Sequence, residues 1–192
     1  RQVLNNLGKS GADTITAGDG NNTIFADEGE LSYDAAGRLE VALSLATDLG
    51  AADTVTSGSG DDIVFGGTDT DTITAGDGDN LVFGDIGTAE WLASVPVYFG
   101  SFDPDYASDD TISTGAGDDV ILAGAGADII TAGDGYNTIF ADEGELTYDA
   151  AGLLAEALSL APDLGADDTV TSGSGYDIIF GAGGLTGNGA LI

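Results

Sequence analysis

The stretch Ser57-Gly58-Ser59-Gly60-Asp61-Asp62-Ile63-Val64-Phe65 runs on into Gly66-Gly67-Thr68-Asp69-Thr70-Asp71-Thr72-Ile73-Thr74 and Ala75-Gly76-Asp77-Gly78-Asp79-Asn80-Leu81-Val82-Phe83, three copies of one nine-residue unit. Each unit has six loop positions followed by three strand positions, with an aliphatic residue at the centre of the strand. Outward from this stretch the central residue recurs as Ile15 and Ile24, as Val55, Val64, Ile73 and Val82, as Ile112, Ile121, Ile130 and Ile139, and as Val170 and Ile179. A nine-residue period fits neither the 3.6 of a helix nor the plain alternation of a hairpin meander. It is the period of a chain that coils as short strands joined by stacked loops.

Composition narrows the class. The 192 residues carry 34 acidic side chains against three basic ones, a formal charge of −31. A compact body with that charge repels itself unless counter-ions are bound. High charge and abundant glycine also mark disorder, but disordered acidic tails do not place Ile and Val on a fixed grid. The three cations (Arg1, Lys9 and Arg38) are too few for nucleic acid or an anionic membrane surface. No apolar run approaches the roughly 20 residues of a membrane-spanning helix. There is no cysteine, so redox logic excludes no compartment. No signal peptide is visible and the first residue is Arg1, so the chain is expected to be a piece of a larger protein.

The loops carry the chemistry. Glycine at loop positions two and four gives backbone angles that other residues reach only at a cost. The sixth position is Asp13, Asp53, Asp62, Asp71, Asp110, Asp119, Asp128, Asp168 or Asp177, and in three loops Asn22, Asn80 or Asn137, each preceded by Asp19, Asp77 or Asp134. Calcium takes six to eight hard oxygen ligands, carboxylate and carbonyl. Glycine loops offer carbonyls, and stacked aspartates call for cations between them. Asp and Asn also cap turns, but turn chemistry alone does not demand a carboxylate at one fixed position in nine loops. These units resemble the calcium-binding nonapeptide repeats of the repeats-in-toxin (RTX) family, with consensus G-G-x-G-x-D-x-U-x, from Gly8 to about Gly184. The resemblance implies an all-β, right-handed parallel β-roll in which each unit is half a turn and each loop stacks on the loop two units away. It further implies multiple Ca2+ ions between stacked loops, held by backbone carbonyls and the sixth-position residues. The pattern departs from the family where Ala, Ser or Thr replaces the first glycine and where Asn replaces Asp.

A longer period lies on top of the short one. Each of the three jumps inserts roughly 22 residues, and the inserts recur at intervals of 58 and 57 residues, every four half-turns. All three therefore leave from one side of the roll. That side alternates plain loops (ending Asp13, Asp71 and Asp128) with insert-bearing loops (ending Asp53, Asp110 and Asp168); the opposite side has only plain loops. With strands about 4.7–4.9 Å apart, six turns make a rod roughly 28 Å long. The expected division is an irregular lead-in over 1–7, a single roll over 8–184 with inserts at 27–50, 85–107 and 142–165, and an irregular tail or cap over 185–192. Leu31 and Tyr33, a turn at Asp34-Ala35-Ala36-Gly37, then Leu39, Val41, Leu43 and Leu45 alternate as a β-hairpin does; an amphipathic helix over Leu39 to Ala46 is the other reading. Asp27, Asp85 and Asp142 stand where a loop glycine is expected and are candidate extra ligands or turn caps.

The two outer faces differ. One sheet ends its strands in Thr16, Thr56, Thr74, Ser113, Thr131 and Thr171, the other in Phe25, Phe65, Phe83, Leu122, Phe140 and Phe180. Left bare, the phenylalanine face would be an apolar strip of the kind that marks interfaces; the inserts leave from that sheet and are expected to fold back and cover it. The Thr-x-Thr face resembles the threonine arrays of ice-binding solenoids, although Ile129 breaks one row and threonine is an ordinary exposed strand residue.

Catalysis is not expected. Without histidine or cysteine, metalloprotease motifs, serine triads and cysteine nucleophiles are excluded. Gly8-Lys9-Ser10 lacks the earlier glycine of a phosphate loop and sits in repeat register. The expected function is a calcium-binding structural segment of a large secreted or cell-surface protein, such as an adhesin, surface-layer or fibre component, folding on calcium outside the cell after type I secretion. Self-association or other surface proteins are the expected partners. The alternatives are a carboxy-terminal secretion module of an enzyme, an ice-binding segment, or a lectin-like module using Trp91, Tyr98 and Tyr106 of the third insert.

Overall fold

The computed structural model of the protein describes residues 2–5, 11–45, 50–102, 108–160 and 166–181, all strand, turn or loop, with no helix among them. Three sheets make up the body. The first is parallel: β1 (Gln2–Asn5), β3 (Asn22–Phe25), β7 (Ile63–Phe65), β9 (Leu81–Phe83), β13 (Val120–Leu122), β15 (Thr138–Phe140) and β19 (Ile178–Phe180). The second is also parallel: β2 (Thr14–Thr16), β6 (Thr54–Thr56), β8 (Thr72–Thr74), β12 (Thr111–Ser113), β14 (Ile129–Thr131) and β18 (Thr169–Thr171). Successive nonapeptides alternate between the two, and the grid residues align across each, as in Val55 with Ile73 and Val64 with Val82. This is the parallel β-roll that the nine-residue period implies.

Strands this short have one inward side chain each, so the space between the two sheets is filled by a single file of aliphatics. Ile24, Val64, Val82, Ile121 and Ile139 come from the first sheet, Val55, Ile73, Ile112, Ile130 and Val170 from the second, and all are buried. Alanines that directly follow a strand, among them Ala17, Ala75, Ala123 and Ala132, belong to the same buried cluster.

The third sheet is antiparallel and built only from the inserts: β4 (Gly29–Tyr33), β5 (Leu39–Ser44), β10 (Gly87–Leu92), β11 (Val95–Ser101), β16 (Gly144–Tyr148) and β17 (Leu154–Ser159). Each insert is one hairpin, and the three lie side by side in the order β17-β16-β11-β10-β5-β4. The helical reading of Leu39 to Ala46 gives way to β5, whose alternating residues are cross-strand partners of β4; Ala46 lies outside the described residues. The hairpins lie down on the first sheet. Phe25, Phe65, Phe83, Leu122 and Phe140 from that sheet share one buried cluster with Leu39, Ala42, Ala89, Phe99 and Leu146 from the hairpins. Phe65 stacks between Phe25 at 4.7 Å and Phe83 at 4.5 Å, ring on ring at the strand spacing. The apolar strip is thus covered within the chain, and the threonine sheet stays bare, with Thr54, Thr56, Thr72 and Thr74 exposed.

The expected lead-in over 1–7 is corrected in part. Gln2–Asn5 form a strand that extends the first sheet, with Leu4 opposite Ile24. Leu4 precedes Ile15 by eleven residues rather than nine, which takes it off the grid. The tail over 185–192 and the Lys9 motif lie outside the described residues.

Candidate metal ladders

Two columns of sixth-position side chains run along the roll, one on each side. On the insert side, Oδ1 of Asp53 accepts the backbone N–H of Asp13 at 2.7 Å, Asp71 that of Asp53 at 2.7 Å, Asp110 that of Asp71 at 2.8 Å, Asp128 that of Asp110 at 2.8 Å and Asp168 that of Asp128 at 2.9 Å. On the plain side the same bond links Asn22 to Asp62, Asp62 to Asn80, Asn80 to Asp119, Asp119 to Asn137 and Asn137 to Asp177, at 2.7–3.1 Å. All twelve sixth-position residues therefore stack in the order that the two-turn insert period implies.

The second oxygen of these carboxylates is different. Oδ2 of Asp53, Asp62, Asp71, Asp110, Asp119 and Asp128 is buried with no hydrogen-bond partner, as is the hydroxyl of Ser57, at the first position of the Asp62 loop. The Thr114 hydroxyl, at the first position of the Asp119 loop, faces the Asp119 carboxylate without completing a well-formed hydrogen bond to it. A buried carboxylate oxygen without a partner is costly. A hard cation beside it removes that cost, so the donor set fits calcium: carboxylate, hydroxyl and carbonyl oxygens, with no nitrogen or sulfur ligand. Among the described residues no three acidic groups converge on one point, which leaves most of any coordination sphere to the backbone carbonyls of the loops.

The electrostatics agree. Burial pushes the Asp71 and Asp128 carboxyls up to about 9, Asp85 to about 8, Asp110 to about 7, and Asp53 and Asp168 to about 6. Burial also raises Asp119 on the plain side. Neighbouring carboxylates add to the rise: Asp110 acts on Asp71 and Asp85, Asp27 on Asp53, and Asp142 on Asp168. These groups are hard to ionise without a positive partner.

The three glycine-replacing aspartates stand beside this ladder with bonds of their own. Asp27 Oδ2 accepts Thr68 N–H at 2.9 Å and its hydroxyl at 3.2 Å. Asp85 accepts Ala125 N–H at 3.0 Å on one oxygen and the Ser108 hydroxyl at 2.5 Å on the other. Both tie an insert-bearing loop to the plain loop of the next turn, and Asp142 is buried next to Asp168.

An outer column, which the sixth-position argument passes over, sits at loop position five. Asp61 accepts Asp79 N–H at 3.1 Å, Asp79 that of Asp118 at 2.8 Å and Asp118 that of Tyr136 at 2.9 Å. The recurrence of Asp at that position was its available signal. Of the third-insert aromatics, Tyr98 donates its hydroxyl to Glu145 at 3.3 Å and Trp91 packs on Phe99 with ring centres 5.4 Å apart. Trp91 also lines a groove of about 630 Å³ with Arg38 and Asp61. Tyr106 lies outside the described residues.

Comparison with known proteins agrees with this geometry. A family model for the RTX calcium-binding nonapeptide repeat matches the chain four times, at residues 7–30, 56–88, 106–139 and 164–184. No curated protein and no solved structure matches it.

Proposed function

The chain belongs to the RTX calcium-binding nonapeptide repeat family, and from that premise we propose that the aspartate columns are its ion sites and that calcium decides whether the roll exists. The observation that carries the reading is the run of buried, unpartnered Oδ2 atoms at Asp53, Asp62, Asp71, Asp110, Asp119 and Asp128. In each of these residues one oxygen is fixed by the N–H of the previous turn, which aims the other at the loop interior. Asp13, Asp168 and Asp177 occupy the same register and complete the ligand set, with Asp27, Asp85 and Asp142 as further carboxylates beside the insert-side column. Bound calcium supplies the positive charge that lets so many carboxylates stay ionised in one small body.

Such sites do not exist in the unfolded chain, so ion binding and folding are one equilibrium. Calcium is scarce in the cytosol and plentiful outside cells. A chain of this kind stays extended during type I secretion and coils afterwards, as a rigid segment of an adhesin, surface layer or fibre. The hairpin sheet supports the structural reading, because it covers the apolar face instead of leaving a binding strip. Far-UV circular dichroism at pH 8 tests it: excess EGTA should give coil, and millimolar calcium should convert the signal to strand. Strand that persists through exhaustive chelation would overturn the proposal.

A second reading rests on the threonine sheet. Thr54, Thr72 and Thr111 align in one outward row and Thr56, Thr74 and Ser113 in the next, on a face that no hairpin covers. A bare, regular hydroxyl array suits an ordered water lattice. Thermal hysteresis measured with and without calcium tests ice binding; its absence from the folded protein would remove this reading.

A further inference from the structure

The plain-side column holds two kinds of rung. The Asp62, Asp119 and Asp177 loops begin with Ser57, Thr114 and Ser172, whereas the Asn22, Asn80 and Asn137 loops begin with Ala17, Ala75 and Ala132. The side chains bond differently as well. In Asn80 the amide oxygen accepts the Asp62 backbone N–H at 3.1 Å. That bond fixes the orientation of the amide, because Nδ2 cannot accept. Nδ2 then faces its own loop, 2.9 Å from the Gly76 and Gly78 carbonyl oxygens and 3.0 Å from Asp119 Oδ1. Asn22 repeats the arrangement, with Gly18 at 2.9 Å, Gly20 at 2.5 Å and Asp62 Oδ1 at 3.0 Å. In Asn137 the amide oxygen accepts Asp119 N–H, and Nδ2 donates to Gly133 and to Asp177 Oδ1.

Loop carbonyls and a carboxylate oxygen thus gather round an N–H donor, the same oxygen types that calcium takes. The amide brings partial positive charge to the point where an ion would sit, and in Asn80 and Asn137 its oxygen is already engaged by the previous turn. The Asp62 and Asp119 rungs have no such amide, and their buried Oδ2 atoms are left without a hydrogen-bond partner. The Asn loops carry a second tie of the same kind. Asp19 accepts the Ser59 N–H and hydroxyl, Asp77 the Ala116 N–H, and Asp134 the Ser174 N–H and hydroxyl.

We propose that Asn22, Asn80 and Asn137 are built-in substitutes for calcium rather than ligands to it, so that the plain side takes ions only at its aspartate rungs and its asparagine rungs close without metal. This rests on the calcium reading of the aspartates and narrows it: on that side ion-filled and amide-filled rungs alternate. Native mass spectrometry of the whole chain across a calcium titration, paired with circular dichroism, distinguishes the roles. Asn80→Asp should take up one more ion than the natural sequence. Asn80→Ala should lose none, yet need more calcium to fold because the clip is gone. An ion lost from Asn80→Ala, or none gained by a folded Asn80→Asp, overturns the proposal. Should Asn80→Asp not fold, Asn80→Ala alone still decides. A natural chain that binds no calcium at any concentration defeats the parent reading, an outcome separable from either of these.

Discussion

A sixth-position aspartate holds the previous turn with one oxygen and leaves the other for the loop. Asp119 shows how the two duties separate. Its Oδ1 accepts both the backbone N–H and the side-chain amide of Asn80. Asp119→Asn keeps an acceptor there and should lose one ion while still folding in calcium. Asp119→Ala also strands the buried backbone N–H of Asn80, whose side-chain amide keeps the Gly76 and Gly78 carbonyls, at about 1–3 kcal/mol in addition; urea unfolding of the two variants in saturating calcium compares them. Gly117, at φ 147°, sits against the Gly78 carbonyl so closely that a Cβ would overlap it. Gly117→Ala should therefore cost more than about 1 kcal/mol by the same measurement. The column positions were legible in the sequence because one residue type recurs at one register. The opposed behaviour of Asn80 and Asp119 was not, since both read as oxygen donors until the bond from Asp62 fixes which end of the amide faces inward.

The inserts are legible as hairpins one at a time, from the alternation of Leu31, Tyr33, Leu39 and Val41. Their union into a sheet is not, because Tyr98 meets Thr147, and Thr88 meets Leu43, through pairings that no local pattern encodes. One signal of the docking was available: Phe25, Phe83 and Phe140 are each followed four residues later by Gly29, Gly87 or Gly144. The chain turns back over the ring, and a Cβ on that glycine would overlap the phenylalanine. Gly87→Ala should cost about 1–3 kcal/mol by overpacking, read as a lower thermal midpoint in calcium. The middle hairpin turns at Ala93 and Ser94, with φ of 55° and 70°. Two-residue turns with both φ positive favour Asn-Gly, so Ala93→Asn with Ser94→Gly should stabilise by about 1 kcal/mol, each strained residue being relieved. An unchanged or lower midpoint would contradict that account.

At the scale of the molecule the buried acids set the response to pH. Asp71, Asp85, Asp110 and Asp128 have folded values well above the ordinary carboxylate value of 3.8. Between that value and about 9 the calcium-free folded chain binds more protons than the unfolded one, so its stability falls as pH rises. In EGTA, melts followed by circular dichroism should show more structure at pH 5 than at pH 8. With calcium present the order should reverse, because protons then compete with the ion. A calcium-free midpoint that rises with pH would rule this out.

The pitches of the two layers also match. Every two turns the roll lengthens by two strand spacings, and in the same interval one insert adds a hairpin, which is two strands of cover. Floor and roof therefore advance at one rate, about 9.6 Å per 57- or 58-residue period, and no mismatch accumulates with length. A chain with more such periods would be a uniform, commensurate girder with no natural stopping point, its reach set by gene length alone.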